Sequence, residues 1–170
     1  LWSYPHKTEW DLNILTPVWG EDGLLFVSSA YDSGSRVVRL SRRQGKTPVE
    51  NVWYSRRMRI HFGTAIRLGD IVFTSSGDFG PAFLMAVDVR TGKVLSRQRG
   101  IAKAQIIYAD GKFIIMGEDG TLAQVTHSPK GFNVISKAQI FNSRSWTVPT
   151  LVGTRLFLRN RESMLALDLS

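Results

Sequence analysis

The chain has 170 residues, 43% of them hydrophobic and 21% charged, which is enough apolar material for one sizeable core and excludes a disordered, collagen-like or coiled-coil chain. Lys and Arg number 22, of which 15 are Arg, against 14 Asp and Glu, and the formal net charge of +8 points to an anionic surface or ligand without saying which. With no Cys, disulfides, thiolate metal sites and Cys nucleophiles are excluded and the compartment stays open.

The first segment, Leu1-Trp2-Ser3-Tyr4, reads as an outer strand matching Val52-Trp53-Tyr54 further on. Thr16 to Trp19 and Leu24 to Val27 are two apolar runs about an Asp22-Gly23 turn, the residue pair that tolerates the positive φ of a tight hairpin. A third run, Arg36 to Leu40, and a fourth, Val49 to Ser55, complete a unit. The order then recurs: Thr64 to Arg67, Ile71 to Thr74, Phe83 to Val89 and Lys93 to Arg99, followed by Gln105 to Tyr108, Lys112 to Ile115, Thr121 to Thr126 and Phe132 to Ile140. The last unit has three runs, Val148 to Leu151, Arg155 to Leu158 and Met164 to Leu169. No apolar stretch reaches the ~20 residues of a membrane-spanning helix, and Leu1 to Trp10 lacks the basic start and apolar stretch of a signal segment.

Each second run carries a Phe, at positions 26, 73, 113 and 157, spaced by 47, 40 and 44 residues. Four short strands per repeat of about 40–45 residues, with almost no 3.6-residue periodicity, predict an all-β chain built as a β-propeller of four-stranded antiparallel blades. The expected blades are 16–55, 62–100, 102–141 and 146–170, about four in all, with 1–5 as an outer strand. Two closures fit: residues 1–5 complete the last blade of a four-bladed ring, or the chain is part of a larger seven- or eight-bladed ring. The second is the expectation, since propellers run from four to eight blades and larger rings dominate.

The run Met85-Ala86-Val87-Asp88-Val89-Arg90-Thr91-Gly92-Lys93-Val94-Leu95 resembles the repeat of the pyrroloquinoline-quinone-like (PQQ-like, quinoprotein) β-propellers, Ala-x-Asp-x-x-Thr-Gly-x-x-x-Trp, with Ser96 where that family has Trp. Leu165-Ala166-Leu167-Asp168-Leu169 repeats its first half, and Ala123-Gln124-Val125 and Val38-Arg39-Leu40 are degenerate copies. Turn mechanics alone account for the motif: Asp88 accepts hydrogen bonds from the turn it enters, and Gly92 takes the left-handed conformation. Asp88, Thr91, Gly92 and Asp168 are therefore expected to be structural, and Trp2 and Trp53 to take the inter-blade place of the family's Trp. The resemblance implies an extracytoplasmic, periplasmic bacterial protein, either a non-catalytic interaction scaffold like the outer-membrane assembly propellers or a quinoprotein dehydrogenase that oxidises an alcohol or sugar with PQQ and Ca²⁺.

In a blade running outward from the axis, entry segments and second-to-third-strand loops share one face. Two of those loops are long, Ser28 to Ser35 and Ser75 to Ala82, and extended loops on one face are where repeat proteins place binding surface. The entry segments add Arg56, Arg57, Arg59, Lys103 and Arg144 interleaved with Trp10, His61 and Trp146. Trp10, Arg57, His61, Arg144 and Trp146 are thus expected to line a ligand-facing mouth suited to a protein partner or anionic ligand, because Arg both pairs with oxyanions and stacks. The plainer reading is a solvated rim, with His61 packing at a strand entry. Binding of nucleic acid rests on charge alone and would show as steep salt dependence.

Catalytic signatures are missing. Asp78-Phe79-Gly80 matches a kinase tripeptide without a glycine-rich phosphate loop, and there is no nucleophile elbow, no His-Glu-x-x-His pair and no alternating-carboxylate Ca²⁺ loop. The chain also lacks the adjacent Cys pair of many alcohol-oxidising quinoproteins, leaving Asp11, Asn13, Asp32 and Asp78 as the acidic or amide residues on the candidate face. No catalytic or metal-binding residue is expected.

Overall fold

The computed structural model describes residues 2–170. Fifteen strands form four antiparallel sheets in which sequence neighbours are spatial neighbours. Blade 1 consists of β1 (Val18–Trp19), β2 (Leu24–Ser29), β3 (Gly34–Leu40) and β4 (Val49–Ser55). Blade 2 has β5 (Ala65–Leu68), β6 (Ile71–Ser76), β7 (Phe83–Asp88) and β8 (Val94–Gln98). Blade 3 has β9 (Ala104–Ala109), β10 (Lys112–Gly117), β11 (Thr121–Ser128) and β12 (Gly131–Gln139), and blade 4 has β13 (Thr150–Val152), β14 (Arg155–Arg159) and β15 (Met164–Asp168). The fold is an all-β propeller arc of about four blades, with one 3-10 turn at Glu9–Asp11.

Alternation along each strand sends one set of side chains back toward the preceding blade and the other forward toward the next. Three apolar cores result. Phe26, Val37 and Trp53 of blade 1 meet Val72, Met85 and Val87 of blade 2; Phe73 and Ala86 of blade 2 meet Phe113, Ile115 and Val125 of blade 3; Ile114 and Met116 of blade 3 meet Leu156 and Leu158 of blade 4. Register explains one departure from the repeat read in the sequence. Phe26, Phe73 and Phe157 are equivalent, but Phe113 faces backward and Ile114 occupies the forward position. Where that position meets a following blade it is buried, at Phe26, Phe73 and Ile114, whereas Phe157 is 36% exposed, with Val152 at 62% and Met164 at 74% on the same face.

Among the described residues no apolar core joins blade 4 to blade 1. The expected outer strand at 1–5 is corrected in the same place: Leu1 lies outside the described residues, and Trp2–Pro5 belongs to no strand. This segment runs instead along blade 1, where the Arg36 guanidinium sits 5.5 Å from the Tyr4 ring and donates to the Pro5 carbonyl at 3.4 Å. Trp2 is exposed and takes no inter-blade place. The four-bladed closure through this segment is therefore not what the fold does. Among the described residues no helix is long and apolar enough to cross a membrane.

Strand three of each complete blade carries a bulge at one equivalent point, after Val37, Ala86 and Gln124. This aligns Trp53, Ser96 and Ser136 on the outer strands. Trp53 donates its indole N–H to the Val89 carbonyl (2.7 Å) and lies over Gly92 of the next blade. One seam on, Ser96 is too small to do this; His127 and Phe132 of blade 3 fill the space, with Ser96 Oγ 2.9 Å from His127 Nε2. Ser96 thus departs from the family's Trp and is compensated by two aromatic rings arriving from the other side.

Candidate functional site

The long-loop face is built by strand ends. β2 and β3 of blade 1 are joined through Tyr31 and Asp32, both at positive φ (53° and 66°), and the entry segment turns at Trp10 and Asp11, also at positive φ (59° and 53°). Left-handed backbone costs an L-residue with a side chain about 1–2 kcal/mol. Four of the six such non-glycine residues among the described ones lie on this face, which marks it as the place where conformation is held against local preference.

These loops bring aromatic rings into a chain. Trp10 lies 4.7 Å from Tyr31 between centroids, Tyr31 5.1 Å from His61, His61 5.3 Å from Phe62, and Phe62 5.1 Å from Trp146. Phe79, from the loop of blade 2, joins at Tyr31 (5.0 Å). Arg144 and Arg161 sit at the far end, 5.0 and 5.2 Å from the Trp146 ring. Tyr31 Oη and His61 Nε2 share a hydrogen bond of 2.9 Å, while His61 Nδ1 is buried without a protein partner. Burial and the neighbouring Lys103 hold the His61 pKa below its ordinary value, with Glu118 and Asp78 partly offsetting them.

Two of the mouth carboxylates, Asp78 and Glu118, are already committed. Asp78, whose side chain is 1% exposed, pairs with Arg59 (3.2 Å) and accepts from the backbone N–H groups of Tyr31 (3.1 Å) and Phe79 (2.7 Å). Glu118 pairs with Lys103 (3.2 Å) and accepts from the Trp146 indole (3.2 Å). Among the described residues no carboxylate lies within salt-bridge distance of Arg144 or Arg161. The surface left for a ligand around Trp146 is therefore aromatic and cationic, while Asp11 and Asp32 stay exposed at the Trp10 end. Arg59 and Lys103 neutralise the acids beneath, and Arg144 and Arg161 remain available.

Of the residues singled out from sequence, Trp10, His61, Arg144 and Trp146 come together here. Arg57 does not; it lines an adjoining notch between blades 1 and 2, which shares Phe79, Asp78 and Arg59 with the mouth. Tyr31, Phe62, Phe79 and Arg161 were missed. Tyr31 and Phe79 sit in the two long loops already identified as extended, so their aromatic character was the available signal. Arg161 lies in a short loop that gave none.

The repeat-motif residues act locally. Asp88 Oδ1 accepts from the Arg90 N–H (2.9 Å), the Thr91 N–H (2.8 Å) and the Thr91 hydroxyl (2.9 Å), and Gly92 takes φ 73°. Burial alone would raise the Asp88 pKa, but the bonds from Thr91 and Arg90 outweigh it and lower it. Asp168 is held down likewise, by Ser170 and Thr154. None of these four faces the mouth.

A PQQ and Ca²⁺ centre asks for clustered oxygen donors with charge to spare. Among the described residues no three His, Asp or Glu side chains are grouped for a metal ion, and Asp78 and Glu118 are neutralised by Arg59 and Lys103. The residues present do not fit that group.

No family model matches the chain, and no curated protein matches it by sequence. Solved structures do. BamB from Moraxella catarrhalis superposes with a TM-score of 0.59 at 20% identity over 91% of this chain and 43% of that one. The computationally designed Ika4 protein superposes with a TM-score of 0.55 at 9% identity, covering 92% of this chain and 98% of that one. The chain thus spans about two fifths of the length of BamB. At these identities the likeness is one of fold.

Proposed function

We propose that the protein is a non-catalytic PQQ-like β-propeller repeat protein that acts as a binding scaffold, its long-loop face capturing an acidic segment of a protein partner or a comparable anionic ligand. The observation that carries this reading is the aromatic chain from Trp10 to Trp146 ending under two uncompensated arginines, Arg144 and Arg161. Aromatic platforms supply contact area at low entropic cost, and Arg supplies paired donors for carboxylates. The likeness to BamB supports a propeller scaffold, and a periplasmic location accords with the repeat resemblance. We also take the arc to belong to a larger ring of seven or eight blades, because the forward face of blade 4 leaves Val152, Phe157 and Met164 exposed, whereas the counterparts of Phe157 in the earlier blades, Phe26, Phe73 and Ile114, are buried.

Titration with poly-glutamate, followed by tryptophan fluorescence, tests the mouth. Saturable quenching that disappears in Arg144→Ala and Trp146→Ala supports it; quenching that survives both removes it. A parallel titration with the quinone and Ca²⁺, coupled to dye-linked alcohol oxidation, tests the scaffold assignment. Saturable binding with turnover would replace the scaffold by a quinoprotein dehydrogenase.

A further inference from the structure

Between the outer halves of blades 1 and 2, Trp53 closes the seam at its lower end over Gly92. The upper end stays open as a notch of about 320 Å³, at the small end of ligand-binding pockets. Its floor is apolar, formed by Met58, Phe83, Met85 and Val94, and its rim carries Arg57 and Arg97. The Arg97 guanidinium is held 3.9 Å above the Phe83 ring, so its direction is set before anything binds. Neither Arg57 nor Arg97 has a carboxylate within salt-bridge distance among the described residues, in contrast to Arg59 beside them, which pairs with Asp32 and Asp78. β8, which contributes Val94 and Arg97, is the last strand of its sheet, so its outer backbone groups lack a strand partner.

We infer that this notch is a second binding site, taking an extended peptide segment of a partner protein that presents one bulky apolar side chain between acidic residues. The apolar side chain fills the space above Met58 and Met85, the flanking carboxylates pair with Arg57 and Arg97, and the free edge of β8 offers main-chain donors and acceptors to an extended backbone. Charge selects the occupant: a neutral or basic segment would leave two arginines facing each other across an apolar pocket without compensation. The inference rests on the scaffold reading only in that the occupant is a protein; the notch adjoins the mouth, sharing Arg59, Asp78 and Phe79 as a common wall, while Arg57 and Arg97 line the notch.

The test is fluorescence anisotropy of a fluorescein-labelled nonapeptide, a central phenylalanine flanked by glutamates, titrated with the whole 170-residue chain at low salt. The expected Kd is ~10–100 μM, weakened ~10-fold or more in Arg57→Glu and Arg97→Glu and by glutamine in place of the peptide's glutamates. Arg155→Glu, a reversal of equal charge on blade 4, should bind as the parent chain does. Nitrogen–proton correlation spectra should place the shifted amides at Gly77, Phe83 and Val94. Absence of saturation overturns the proposal, as does unchanged affinity in both notch variants. Shifts confined to Trp10, Tyr31 and Trp146 also overturn it, while preserving the mouth as the scaffold's binding face. Notch binding alongside a mouth that takes no poly-glutamate would keep this site and remove the other.

Discussion

The indole of Trp53, on the outer strand of blade 1, lies so close over Gly92 of blade 2 that a Cβ at Gly92 would stand 2.8 Å from Trp53 Cδ2. The same indole donates to the Val89 carbonyl at 2.7 Å. Gly92 is therefore required twice, for its φ of 73° and for the space it leaves. Gly92→Ala should cost about 1–3 kcal/mol from backbone strain and overpacking together. Trp53→Ala should cost about 2–4 kcal/mol through lost packing and an unpaired carbonyl. Urea denaturation checks both, and Gly111→Ala, where an added Cβ meets nothing within 4 Å although φ is 72°, isolates the strain component.

Asp88 offers a separate test of whether the repeat motif serves architecture. It accepts three hydrogen bonds within its own turn, and all three are exposed to water. Asp88→Ala should therefore destabilise by about 1 kcal/mol, the scale of a lost turn or cap interaction. Binding at the mouth should be unchanged. Calorimetric melting alongside the poly-glutamate titration reads the two effects separately, and loss of binding without loss of stability would contradict the structural role.

On the face opposite the mouth, Arg67 of blade 2 makes a two-pronged contact with Asp22 of blade 1, 2.9 and 2.8 Å to the two carboxylate oxygens, and Arg90 approaches the same carboxylate at 3.3 Å. The Arg67 side chain is only 10% exposed, so Asp22→Asn removes the two-pronged counter-charge of a nearly buried guanidinium and leaves it only Asp70, 3.8 Å away. The expected loss is about 1–2 kcal/mol near neutral pH. Hydrogen bonding from Arg67 first, then the Leu24 N–H and the charges of Arg67 and Arg90, hold the Asp22 pKa below its ordinary value against a smaller opposing effect of burial. A carboxyl lowered on folding stabilises fully above its unfolded pKa of about 3.9 and loses that contribution as pH falls through the folded value. The stability gap between the parent chain and Asp22→Asn should accordingly close in acid, as paired denaturation curves from neutral pH downward will report.

How much was legible in the sequence divides by mechanism. The blades were legible because hairpin turns and alternating apolar runs are local signals, and Asp22-Gly23 or Asp110-Gly111 announce a turn without reference to the rest of the chain. The one-residue offset of Phe113 was not, because a strand flanked by apolar residues on both faces, Phe113, Ile114, Ile115 and Met116, hides which face looks forward. The fate of Trp2 was illegible for a related reason: a short aromatic segment reads as a strand whether or not a partner edge is present. At the mouth, Trp10, His61, Arg144 and Trp146 could be grouped because propeller topology puts entry segments on one face. Arg57 belonged to the same segment as His61 yet points elsewhere, and only the path of Arg56–Ile60 around Phe79 decides that.

His61 ties the stability of the mouth to pH. Its Nε2 bonds Tyr31 Oη, its Nδ1 is buried without a protein partner, and the charged groups that act on it are Lys103, Glu118 and Asp78. Burial and Lys103 disfavour the imidazolium more than the two carboxylates favour it, so the folded pKa lies below the unfolded value of about 6.5. For a base lowered on folding, the unfolded chain takes up the proton first. His61 therefore contributes its full share of stability above about pH 6.5, loses it as pH falls toward the folded pKa, and contributes no further change below that. His6 and His127 are also lowered, mainly by burial, and add to the same slope. A proton NMR titration should find the His61 ring titrating below its free value. His61→Phe, which preserves the stacking between Tyr31 and Phe62 but cannot take a proton, should flatten part of the decline in stability just below pH 6.5 while leaving the decline from Asp22 in place. An His61 ring that titrates well above the free value, beyond neutral pH, would mean that Glu118 and Asp78 dominate, and the mouth would then carry a positive charge on His61 at neutral pH.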